Sequence, residues 1–316
     1  MVSTLKREEQ TTTLPAGGDQ PPRRSGGALS ADPPRSSLPP VSQSVLSLRA
    51  ILLFDIDGVV RDVSASYRRA IIETVHHYCA WRPEASAIDA LKSEGRWNND
   101  WQASAELIRR HRARGDDVAP EPPFAELVRV FGEFYFGGDP EGDPSQWRGF
   151  IGAEPLLLQG TSFERLTASG IGWGFVSGAE PPSCRFVLET RLGLVNPPLI
   201  AMGDAPDKPN PQGLIQLASR LLAHGGGGEL GPVAPPVAYL GDTVADVETV
   251  IRARAQLPGQ RWLSLAVAPP HLARPGAEAA RQRYEQALRA AGADRVLAHS
   301  ADGIDTIEAL LAAEGR

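Results

Sequence analysis

The sequence predicts an α/β fold: a parallel sheet with helices on both faces, plus an inserted α-helical unit. Three observations predict it. Short unbroken apolar runs recur along the chain and end in polar residues. Between them lie stretches with apolar residues at three- and four-residue spacing. One connection is far too long for a crossover between neighbouring strands. The 316 residues suffice for about two domains. A content of 42% hydrophobic and 22% charged residues is an ordinary globular balance, and 32 glycines with 28 prolines imply long loops.

Taken in order, residues 1–47 hold Pro-Pro, Gly-Gly and Ser/Thr clusters and no apolar period, so they are expected to be a disordered tail. Glu8, Glu9 and Asp19 argue against a transit peptide. Ala50 to Phe54 reads as a strand buried on both faces. Further strands are expected at Gly172 to Val176, Pro198 to Met202, Val237 to Leu240, Trp262 to Val267 and Arg295 to Leu297. Helical spacing marks Thr161 to Ala168, Ser183 to Leu192, Pro211 to Ala223, Val244 to Ala255 and Ala273 to Ala291. Between the first strand and the next core helix, Ser66 to Ala80, Ser104 to Arg112 and Phe124 to Phe136 also read as helices. The expected organisation is therefore a sheet domain of residues 48–63 and 155–316, with a helical domain of residues 64–154 set into it.

Composition excludes several functions. A net charge of −6 argues against gripping nucleic acid by bulk charge. No apolar stretch approaches the roughly 18 residues of a membrane span, and the expected location is cytoplasmic. Cys79 and Cys184 can build neither a disulfide framework nor a zinc site. The glycine run around Gly225 to Gly228 lacks the GK[ST] that would make it a phosphate loop.

Chemistry gathers at the strand ends. Asp55 and Asp57 follow the first strand, Ser177 the second, and Asp242 with Asp246 the fourth, while Lys208 precedes a helix. In open parallel sheets ligands bind beyond the carboxyl ends of the strands, so these scattered residues converge. A calcium loop starting at Asp55 would need glycine at Val60 and a bidentate glutamate at Ser66, and has neither.

The run Phe54-Asp55-Ile56-Asp57-Gly58-Val59-Val60 resembles the first motif of the haloacid dehalogenase (HAD) superfamily. Val176-Ser177-Gly178, Lys208-Pro209-Asn210-Pro211 and Gly241-Asp242-Thr243-Val244-Ala245-Asp246 resemble the second, third and fourth, in family order. The resemblance implies a Rossmann-like core and, from the place of the insertion, a subfamily I helical cap. It further implies that Asp55 is a nucleophile forming an aspartyl-phosphate and Asp57 the general acid and base. Ser177 and Gly178 would bind the phosphoryl group, with Lys208 neutralising charge. Mg2+ would be held by Asp55, the backbone carbonyl of Asp57 and Asp242, with Asp246 in support.

An acid at Asp57 favours phosphate esters over halides, because only the ester's leaving oxygen needs a proton. In the insertion, Leu91 to Arg96 resembles the substrate loop of β-phosphoglucomutases, which makes Arg96 a candidate phosphate ligand and Asn99 a candidate hydroxyl ligand. A helix start capped by Asn/Asp explains the same residues equally well. The implied activity is Mg2+-dependent hydrolysis of a small phosphorylated metabolite. The alternatives are a phosphomutase of β-phosphoglucomutase type and a non-catalytic binding protein for phosphorylated ligands.

Overall fold

In the computed structural model, β1 (Ala50–Phe54) forms the middle of a sheet that has six strands among the described residues, and every residue of β1 is buried. The structure describes residues 48–316 apart from 93, 95, 96, 98, 116–119, 227, 314 and 316. The expected tail, residues 1–47, lies outside the described residues. The other strands are β2 (Ile171–Val176), β3 (Leu199–Ile200), β4 (Val237–Gly241), β5 (Trp262–Val267) and β6 (Arg295–Leu297). Their order is β3-β2-β1-β4-β5-β6, with every neighbouring pair parallel. The chain thus builds outward from β1 to one side, then returns to start again on the other. β1 and β4 flank that switch point, where an open sheet leaves a crevice.

Alternation along β1 divides the interior in two. Leu52 and Phe54 join the apolar cluster that also holds Phe163, Phe175 and Ile307. Ile51 and Leu53 point the other way, into the cluster of Leu214, Leu217 and Val250. The helices covering these faces are α5 (Gly160–Ala168), α6 (Pro181–Arg185), α7 (Gln212–His224), α8 (Val244–Gln256), α9 (Glu278–Ala290) and α10 (Asp302–Ala313). Between β1 and α5 lies the helical cap: α1 (Ser66–Cys79), α2 (Ala85–Lys92), α3 (Asp100–Arg112) and α4 (Phe124–Tyr135).

Three elements differ from the sequence expectation. β3 is two residues rather than five, because Gly203 turns the chain at φ +88° and the Asp204 carboxylate accepts from the Ala201 amide at 2.9 Å. The helix expected from Ser183 to Leu192 is α6 followed by a π-helical turn, Phe186–Arg191. Pro275 and Gly276 delay α9 to Glu278, leaving Pro270–Ala273 as a separate 3-10 turn. α2 and α10 are additional to the expected set.

The chain leaves the sheet domain and returns to it at one place. The Asp62 amide donates to Pro155 and the Leu157 amide to Val60, both at 2.8 Å, and Arg61 faces Leu156 as an antiparallel bridge. The two connections to the cap are therefore tied together by backbone hydrogen bonds.

Candidate active site

β1 continues its ladder one residue past the strand, where the Asp55 amide donates to Leu240 at 2.8 Å. That contact leaves the Asp55 side chain at the carboxyl end of the central strand, with Asp242 beside it at the end of β4. The Ser177 amide is likewise held by Ile200 at 2.9 Å at the end of β2. Oxygens of Asp55, Asp242 and Asp246 lie within 4.8 Å of one another, and all three residues are buried.

Two glycines make this approach possible. Gly58 has φ +76°, and a Cβ on it would fall 2.0 Å from Asp242 Oδ2. A Cβ on Gly241 would fall 2.2 Å from Asp246 Cβ. The glycines of the first and fourth motifs thus leave room for two of the carboxylates.

Lys208 binds the cluster together. Its Nζ lies 2.8 Å from Asp55 Oδ2 and 2.6 Å from Asp246 Oδ1, and donates to the Tyr239 hydroxyl at 3.2 Å. The Tyr239 hydroxyl donates to the Val176 carbonyl at 2.9 Å and lies 3.1 Å from Asp246 Oδ1. The other oxygen of Asp246 accepts from the amide and hydroxyl of Thr243, at 2.9 and 2.6 Å, as part of the capping box that starts α8. Asp246 is thereby committed to Lys208 and to its own helix, which suits a supporting role. Tyr239 and Thr243 are members of the site that the motif reading did not single out.

Burial sets the charges. It pushes the Asp55 carboxyl up to about 7, with Lys208 opposing the shift and Asp246 adding to it. Burial raises Asp242 well above the ordinary carboxylate range, reinforced by the charges of Asp246 and Asp55. For Asp246 burial acts in the same sense, but Lys208 and the Thr243 donors outweigh it and hold that carboxyl below its usual value. Lys208 loses hydration by burial, yet Asp246 and Asp55 keep its ammonium charged.

The residues fit a divalent cation. The Asp242 carboxylate accepts no hydrogen bond among the described residues, and neither does the Asp57 carbonyl. A buried carboxylate without donors needs a counter-charge. Asp55 and Asp242 supply hard oxygen ligands of the kind that suits Mg2+.

Asp57 is held apart from this cluster. Its Oδ1 accepts from Arg61 Nε at 2.7 Å, and its side chain is 28% exposed while that of Arg61 is fully buried. Ser177 Oγ accepts from the Ala179 amide at 3.2 Å, and its hydroxyl also hydrogen-bonds the buried Cys184 thiol. Gly178 is exposed beside it. Asn99 caps α3, accepting from the Gln102 amide at 3.0 Å, so the capping explanation describes that side chain. Arg96 lies outside the described residues.

A family model for haloacid dehalogenase-like hydrolases matches residues 50–254. An imidazoleglycerol-phosphate dehydratase of Phytophthora nicotianae is 32% identical over 198 residues, covering 62% of this chain. The match takes in only 40% of that protein, so the chain spans about two fifths of the relative's length. Among solved structures, phosphatase Tt82 from Thermococcus thioreducens superposes with a TM-score of 0.51 at 20% identity, over 75% of this chain and 98% of that one. A phosphonoacetaldehyde hydrolase-like protein from Oleispira antarctica gives 0.55 at 19% identity, over 83% and 94%. These two likenesses bear on the fold.

Proposed function

The chain belongs to the haloacid dehalogenase-like hydrolases, and from that premise we propose that it is a Mg2+-dependent phosphatase acting on a small phosphorylated metabolite. The observation that carries this reading is the cluster of Asp55, Asp242 and Asp246, two of them paired with Lys208, with a second acid, Asp57, two residues beyond Asp55. Residues 64–154 act as the cap over that centre.

Asp55, Asp242 and the carbonyl of Asp57 would hold the cation, with Asp246 in support. When bound, the cation offsets the repulsion between a carboxylate nucleophile and the phosphoryl oxygens. Lys208 fixes Asp55 through Oδ2, and Asp55 is further held by the Ile56 amide, which donates to Oδ1 at 2.8 Å. Asp55 attacks phosphorus and carries the phosphoryl group as an acyl phosphate. Asp57 protonates the departing oxygen, then takes a proton from the water that cleaves the acyl phosphate. Ser177 donates its hydroxyl proton to a phosphoryl oxygen.

The test is release of nitrophenol from p-nitrophenyl phosphate. Activity in Mg2+ that vanishes with chelator and in Asp55→Asn supports the reading; full activity in Asp55→Asn overturns it. A screen of phosphate monoesters then defines the substrate. The name of the dehydratase relative makes imidazole-bearing phosphate esters the first group to include.

A further inference from the structure

Arg61 is the largest side chain fully buried in the described structure, and no catalytic step above uses it. Stripping a guanidinium of water is costly unless its donors are matched, so its partners define its task. Nε donates to Asp57 Oδ1 at 2.7 Å, Nη2 donates to Ser183 Oγ at 2.7 Å, and Nη1 lies 3.0 Å from Glu154 Oε2. Glu154 is itself fixed: its Oε1 accepts from Ser66 Oγ at 2.5 Å and from the Tyr135 hydroxyl at 3.1 Å. Asp57 and Ser183 belong to the sheet domain, Ser66 and Tyr135 to the cap, and Arg61 with Glu154 lies where the chain passes between them. Tyr67 stacks on Tyr135 with ring centroids 4.6 Å apart, closing the cap side of the network.

We infer that Arg61 is a positioning residue that pins one oxygen of Asp57 to the junction of cap and sheet domain, leaving the other oxygen to exchange protons with substrate and water. A carboxylate turns about two bonds. A single Nε–Oδ1 contact from an immobile guanidinium removes most of that freedom. Oδ2 has no hydrogen-bond partner among the described residues, so the two oxygens of Asp57 are already differentiated. Lysine could replace Arg61 only in part, since one ammonium cannot match the three separate partners of the guanidinium.

The inference rests on the phosphatase reading. Its signature is leaving-group dependence, because proton donation matters for a poor leaving group and not for a good one. The measurement is kcat/KM in Mg2+ on phenyl phosphate and on 2,4-dinitrophenyl phosphate, for the wild type, Arg61→Lys and the charge-balanced pair Arg61→Met with Glu154→Gln. The pair is expected to lose about 100-fold on phenyl phosphate, the scale of general acid catalysis, and under about 10-fold on the dinitrophenyl ester. Arg61→Lys should recover part of the loss. Where the pair does not fold, as judged by circular dichroism, Ser183→Ala supplies the same comparison with a smaller selective loss. Equal losses on both esters in a folded variant, or no loss, overturn the inference. A wild type that cleaves neither ester instead overturns the phosphatase reading itself.

Discussion

Gly58 and Asp242 occupy space that cannot hold a methyl group between them: a Cβ on Gly58 would sit 2.0 Å from the Asp242 carboxylate oxygen. Gly58→Ala must therefore move Asp242 as well as adopt φ +76°, a conformation that costs an L-residue about 1–2 kcal/mol. The expected result is a fall in kcat of roughly 100-fold, the usual consequence of a displacement near 1 Å. Thermal melting should fall in parallel, and titration with Mg2+ should require higher concentrations.

Lys208 is the sole cation contacting Asp55 and Asp246 among the described residues. Lys208→Met leaves two buried carboxylates without it, a loss that typically costs about 3–5 kcal/mol. Denaturant unfolding should register that cost, and activity should be abolished. Wild-type activity from a folded Lys208→Met protein would show that the ammonium is dispensable.

Tyr239→Phe removes only an oxygen, but that oxygen joins Lys208, Asp246 and the Val176 carbonyl. Unfolding by urea should show a loss of about 1–3 kcal/mol, the scale for buried groups left without a partner. Activity should fall less than in Lys208→Met, since both ion pairs of Lys208 remain.

In chelator, stability should depend on pH through the raised carboxyls. Asp55 binds its proton up to about pH 7 when folded, whereas its ordinary value is 3.8, and Asp242 is shifted in the same direction. Between those values the folded state holds more protons than the unfolded one, so stability falls as pH rises from about 4 to about 7. Differential scanning calorimetry in EDTA should show the melting temperature dropping across that window. Added Mg2+ should restore most at the upper end, because cation binding displaces the proton. A metal-free melting temperature that climbs throughout the window would contradict this account.

Much of the site was legible in the sequence because each motif is local. Asp55, Ser177 and Asp242 each terminate an apolar strand, and the parallel-sheet rule alone brings such ends together. Arg61 was not legible: beside Val59 and Val60 it reads as an ordinary charged loop residue, and Glu154 and Ser183 reach it only through the tertiary fold. Tyr239 was hidden for a different reason, since in an apolar strand an aromatic reads as core and nothing local announces what its hydroxyl meets. Thr243 did carry a signal, the T-x-x-D of a capping box, but the same letters also satisfy the fourth motif. The period of α10 was present as well, in buried Ile304, Ile307 and Leu311. β3 was overestimated because apolar composition extends beyond the residues whose backbone stays extended.

The outermost strands, β3 and β6, run for only two and three residues. Each sheet border therefore offers few free amides and carbonyls to a passing chain, while the long strands stay enclosed between neighbours. Such a rim is a poor template for intermolecular strand addition, which protects the protein from edge-to-edge polymerisation at high concentration.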